Sequence, residues 1–111
     1  MEPVEILRHA RDAVLTGPEK WTKGAFYRDA NGDPLSALQS ELAEEFCTVG
    51  AICYSALALG MQEWVGWAVG VVGAHVPGHS IHRWNDLPPT TYPDVIDLLD
   101  LAIKTEEERD Q

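Results

Sequence analysis

Towards the C-terminus, Val95, Leu98, Leu99, Ala102 and Ile103 stand at offsets 0, 3, 4, 7 and 8. That spacing matches the α-helical repeat and no strand, so it commits the segment to a helix with one apolar stripe. Such a stripe must be covered, and the rest of a chain of 111 residues has to supply the cover. Thr91 reads as the N-cap, with Asp94 three residues on in the place where a capping box usually has Glu or Gln. Asp94, Asp97 and Asp100 fall on the outward side, and 104–111 reads as a solvated, fraying acidic end.

Three further helices follow from the same reasoning. Ile6, Leu7, Ala10, Ala13 and Val14 put an apolar stripe on a helix of about 3–15, with Pro3 in its first turn and Gly17-Pro18 ending it. On its wet side, Glu5 and His9, and Arg8 and Asp12, stand four apart. Two ridges, Leu42/Phe46/Val49/Cys53/Ala56 and Ala43/Cys47/Gly50/Tyr54/Leu57, predict a central helix from Ser40 to Leu59, closed by Gly60. Gly50 inside it implies that something packs close to that backbone. Residues 61–79 carry Val and Trp suited to helix or strand. Trp64, Trp67, Val71 and Val72 favour a helix of 61–73, with Pro77-Gly78 as a loop. Residues 19–35 read as an irregular aromatic segment with one short extended piece, because Pro34 removes a donor that a stable sheet would need. The expected fold is therefore mostly α: one small domain, 1–111, a bundle of about four helices with an aromatic segment between the first two.

Eight Lys and Arg face eighteen Asp and Glu, a net charge of −10. A surface of that sign repels phosphate, so direct binding to nucleic acid or anionic lipid is not expected. The apolar run Val65–Val76 is too short to cross a membrane, residues 1–10 lack the continuous apolar core of a secretory leader, and two cysteines make no disulfide scaffold. These features together predict a cytoplasmic protein with both cysteines as thiols.

Several constellations invite a chemical reading. Cys47, His82 and Asn85 occur in the order used by enzymes with a thiol nucleophile, a His base and an orienting amide. The predicted helix starts before Cys47, however, and Glu44 and Glu45 oppose a thiolate, so a small buried core residue is the expected role. His75, His79 and His82 would share one helix face were Pro77-Gly78 not between the first two. Cys47 and Cys53 lie about 240° apart around a helix. No metal or other cofactor is assigned. Asp29-Ala30-Asn31-Gly32-Asp33 imitates the start of a calcium loop, but Pro34 stands where the sharp-turn glycine belongs, leaving an ordinary Asn-Gly turn.

Trp84-Asn85-Asp86 reads as a structural corner, with Asn85 ending an element and the Trp84 indole N–H reaching a carbonyl. With His82 and Arg83 it would form a recognition surface. Trp21, Trp64, Trp67 and Trp84 are more indole than a core of this size hides, so one ring should be partly exposed. With Gly66, Gly70 and Gly73 nearby, 61–76 is the candidate contact surface, for a partner protein or a second copy.

Trp21 with Gly24-Ala25, Cys47-x-x-Gly50-Ala51, Trp84-Asn85-Asp86 and the Val95–Ile103 helix together resemble one family. Its members are small proteins of actinobacteria and their phages, known only as a domain of unknown function. The resemblance spans about 5–103 and implies a compact, mostly helical domain; it supplies no activity and no site. The expectation for function is a non-enzymatic acidic protein acting by contact with a partner that has a basic surface. A phage-encoded modulator or inhibitor of a host protein would act this way. The binding candidates are Trp64, Trp67, His82, Arg83, Trp84, Asn85 and Asp86. The alternative is a small Cys-dependent hydrolase or transferase using Cys47 and His82.

Overall fold

A computed structural model describes residues 2–109. Helix α1 spans Glu5–His9 and runs on, without a break, as a π-helical turn over Ala10–Val14 closed by Leu15 N donating to Ala10 O at 2.9 Å. Ile6, Leu7, Ala10 and Val14 of its stripe are buried as the periodicity predicts, whereas Ala13, placed on the same stripe by spacing, is exposed. The charges on its outer side pair otherwise than at the expected four-residue spacing. Arg8 pairs with Glu5 and, at 3.5 Å, with Glu107. Arg11 pairs with Asp12 and with Asp100, tying this helix to the C-terminal one. His9 turns inward, its Nδ1 2.8 Å from the Ser55 hydroxyl.

The segment after α1 does form a sheet, contrary to expectation. Strands β1 (Tyr27–Arg28), β2 (Pro34–Leu35) and β3 (Glu45–Phe46) pair antiparallel in the order β2-β1-β3, with Tyr27 opposite both Leu35 and Phe46. Pro34 is tolerated because β2 lies at the edge. The connection from β1 to β2 is the expected Asn-Gly turn. Asp29 Oδ1 accepts from Asn31 N and Asp33 N, and Gly32 takes φ +84°.

That sheet also shortens the second helix. The predicted helix from Ser40 is instead a 3-10 turn over Ala37–Leu42, then β3, then α2 over Thr48–Ala58. The reason is backbone pairing. Glu44 N donates to Arg28 O and Cys47 N to Phe26 O, and the Phe46 ring packs edge-on against Tyr27 and Tyr54. Leu42 and Leu57, placed on the two ridges by spacing, are exposed. Gly50 is explained by the same contact, since a Cβ there would lie 2.3 Å from the Phe26 carbonyl oxygen.

A 3-10 turn at Gln62–Trp64 leads into α3, Val65–Gly73, so the predicted helix is present, starting at residue 62 and α-helical from Val65. Pro77–His79 makes a tight turn with Gly78 and His79 both at positive φ. A helix the sequence reading did not predict follows: α4, Ile81–Asp86, capped by Ser80 Oγ accepting from Arg83 N. Helix α5, Tyr92–Arg109, begins with half of the expected box: Thr91 N and Oγ1 both donate to Asp94 Oδ2, and among the described residues no bond returns from Asp94 N to the Thr91 hydroxyl. It does not fray at 104: Glu106 is buried and the helix continues to Arg109, while Asp110 and Gln111 lie outside the described residues. One apolar core joins Ile6 and Leu7 of α1, Ala51 and Ile52 of α2, Ala68 and Val72 of α3, and Val95, Leu99 and Ile103 of α5. Among the described residues, no helix is long and apolar enough to cross a membrane.

Gly50→Ala is expected to cost about 1–3 kcal/mol, because the added methyl meets backbone that cannot swing aside. Urea denaturation measures this, and an unchanged midpoint would show that β1 gives way freely.

Candidate functional site

Among the described residues, Asn85 has the best-connected side chain. It is 0% exposed. Its Oδ1 accepts from Trp21 Nε1 at 2.7 Å, Thr48 N at 3.0 Å and Thr48 Oγ1 at 2.7 Å. Its Nδ2 donates to Thr22 O and to Asp86 Oδ1, both at 3.1 Å. Asp86 Oδ1 in turn accepts from Gly24 N at 3.0 Å. Three separate stretches are thus fastened together: 21–24, the start of α2, and the end of α4. Asn85 is helical, not the left-handed terminator expected from sequence. The indole that bonds here is Trp21; no hydrogen bond of the Trp84 indole is found among the described residues, although its carbonyl accepts from Thr90 Oγ1. Burial pulls the Asp86 carboxyl upward, but the Gly24 N–H, the Asn85 amide and the nearby His82 and Lys23 outweigh it and hold the group below its ordinary value.

His82 and Arg83 occupy the solvent side of α4. The His82 ring stands edge-on to Phe26 and its Nε2 lies 3.8 Å from Asp86 Oδ2. The Trp84-Asn85-Asp86 corner is therefore an inward fastening with two exposed basic residues beside it.

Cys47 is placed differently from expectation: it is the N-cap of α2, with Sγ accepting from Gly50 N at 3.2 Å. A helix N-terminus lowers a thiol pKa, yet here burial dominates. The side chain is 1% exposed, and the thiol is pushed up to about 11 despite the Gly50 and Val49 N–H groups. Among the described residues no hydrogen bond links Cys47 to His82, whose ring nitrogen faces Asp86 instead. Asn85, the orienter in the catalytic alternative, spends its polar atoms on Trp21, Thr22, Thr48 and Asp86.

Trp64 and Trp67 belong to another part of the surface. A cleft of ≈ 420 Å³ lies between α3 and α5, walled by Gly66, Trp67, Gly70, Val71, Ala74 and His75 on one side and Thr105, Glu106 and Arg109 on the other. It shares Trp67, Glu106 and Arg109 with a second cleft of ≈ 310 Å³ that adds Trp64 and Glu2. At the other end it shares His75 with a third, lined by Trp84, Asp94, Asp97, Leu98 and Leu101. The predicted residues Trp64, Trp67 and Trp84 thus border one extended furrow along α5. His82 and Asn85 line none of its three clefts. Four carboxylates, from Glu2, Asp94, Asp97 and Glu106, line the furrow against the one guanidinium of Arg109. Sequence reasoning found the α3 wall through its tryptophans and glycines. It missed the α5 wall, because Thr105, Glu106 and Arg109 carry only the signal of a polar helix end.

Residues 1–105 match the family described as "Family of unknown function (DUF6197)", and the chain belongs to that family. No curated protein and no solved structure matches it.

Asn85→Ala would leave the Trp21 N–H, both Thr48 donors and the Thr22 carbonyl without their buried partner, an expected loss of about 3–5 kcal/mol in urea denaturation. A loss below ~1 kcal/mol would mean that water replaces the amide. In the native protein at neutral pH, Cys47 is expected to resist iodoacetamide until the chain unfolds, as followed by peptide mass spectrometry. Rapid native labelling would restore the thiol as a nucleophile.

Proposed function

We propose that this member of DUF6197 is a non-enzymatic binding module that holds an amphipathic helix of a partner protein in the furrow between α3 and α5. The observation that carries the reading is the pair Gly66 and Gly70. Each sits inside α3 and costs that helix about 1 kcal/mol relative to alanine. A Cβ built on either meets nothing within 4 Å. Packing accounts for Gly50, against the Phe26 carbonyl, and for Gly73, whose Cβ would stand 3.2 Å from the His79 carbonyl. Among the described residues nothing accounts for the other two. With Ala74 one turn further on, they leave a strip where a second backbone can come close.

The lining supports the choice of occupant. The floor is apolar through Trp67, Val71 and Leu101, and the carboxylates of Glu2, Asp94 and Asp97 favour a partner that carries Lys or Arg beside its apolar stripe. A second copy of this chain would bring another net charge of −10 to the same face. Buried Cys47 supports contact over thiol chemistry as the mode of action. The protein is taken to act in a reducing cytoplasm, where a modulator or inhibitor of a host protein would meet its target.

Gly70→Ala is expected to raise stability by about 0.5–1 kcal/mol, and Gly70→Leu to fold normally while filling the strip. In affinity capture from an actinobacterial lysate, the wild type should retain a stoichiometric protein that is lost as salt rises, and Gly70→Leu should retain at least about tenfold less. Equal retention by the two would refute the reading. A wild-type dimer that Gly70→Leu dissociates, seen by sedimentation, would make the occupant a second copy.

A further inference from the structure

At one end of the furrow the Trp64 and Trp67 rings stand perpendicular, their centroids 6.4 Å apart. Trp64 is 40% exposed, so the corner between the rings opens to solvent. Glu2 and Glu106 border the same ≈ 310 Å³ space, which has room for one long side chain.

The chemistry of this corner favours a cation. An indole face is negative and attracts a positive charge lying over it, and Trp does so best among the aromatic residues. The Glu106 carboxylate adds a full charge at the base. Its side chain is 9% exposed, and its ion partner among the described residues is Arg109, whose Nε stands 3.4 Å away on a side chain 73% exposed. That single contact from a solvent-facing side chain leaves the carboxylate room to accept a second cation.

We propose that the Trp64–Trp67 corner is a socket for a lysine side chain of the partner, its ammonium seated between the two rings and facing Glu106 and Glu2. The proposal rests on the reading of the furrow as a docking cleft and names the anchor that fixes the partner's register in it. Lysine fits better than arginine. Two perpendicular rings enclose a compact ammonium, whereas a planar guanidinium stacks on one face and leaves the other unused. The partner's ammonium takes the place of Arg109 beside Glu106, and Arg109 returns to solvent.

The probe is n-butylammonium, the lysine stem and head, followed by the four indole N–H signals in ¹H–¹⁵N spectra with 1-butanol as the neutral control. The Trp64 and Trp67 signals should move saturably with butylammonium, those of Trp21 and Trp84 should stay, and Glu106→Gln should weaken the response about tenfold. An equal response to 1-butanol, or an unchanged midpoint in Glu106→Gln, overturns the socket. Circular dichroism confirms that Glu106→Gln folds, and Trp64→Ala, at the exposed mouth, serves as a second variant that should lower partner retention about tenfold. Capture lost in Gly70→Leu without any butylammonium response keeps the cleft and overturns the socket. Butylammonium binding with partner retention unaffected by Trp64→Ala overturns the lysine assignment and makes the corner a site for a free organic cation.

Discussion

A single buried amide holds the protein's irregular half in place. Helix α4 has six residues and the three strands two each, lengths at which neither helix nor sheet stands on its own in water. Asn85 ties α4 to α2 and to the 21–24 stretch, which itself bonds β3 through Thr22 N and Phe46 O, by serving the Trp21 indole, both Thr48 donors and the Thr22 carbonyl at once. Every group in that set is buried or half-buried, so each would carry a desolvation cost if the amide were lost. Thr48 is the first residue of α2, and the same contact therefore also fixes where the central helix starts.

The fastening has a consequence on the far side of the molecule. With α4 drawn towards α2 and the 21–24 stretch, Trp84 reaches the end of the furrow along α5 while His82 and Arg83 stay at the surface. The furrow persists because α3 presents Gly66, Gly70 and Ala74 where larger side chains would close it. Stability alone would favour alanine or leucine at those glycines. An open strip beside two tryptophans is a costly surface to maintain, and the proposed binding role is what would account for it.

The thiol shows how placement overrides motif. Cys47 occupies the helix N-terminus that activates cysteines elsewhere, and Gly50 N donates to it. Burial nevertheless pushes the thiol well above neutrality. The order Cys, His, Asn along the chain says nothing about whether the three side chains face one another, and here the amide of Asn85 is already committed to the fold.

What the sequence determined by itself lies wherever one helix carries its own signal. The stripe of α5 and its Thr91–Asp94 contact, most of the stripe of α1, the Asn-Gly turn after β1 and the helical state of α3 were legible, because periodicity and local hydrogen bonds act within a few residues. The partial exposure of the tryptophans was legible too, since their bulk exceeds what this chain can bury. Only the tertiary structure decided the rest. Residues 43–47 satisfy a helical spacing, yet they extend because the carbonyls of Phe26 and Arg28 offer strand pairing from a distance of some twenty residues in sequence. Pro34 can join that sheet because β2 ends up at its edge. Asn85 becomes a hub only when three remote segments converge on it, and Glu106 becomes a buried carboxylate only when α3 lies against α5. In each case a non-local partner outweighs the local preference, and no reading of a single window contains that partner.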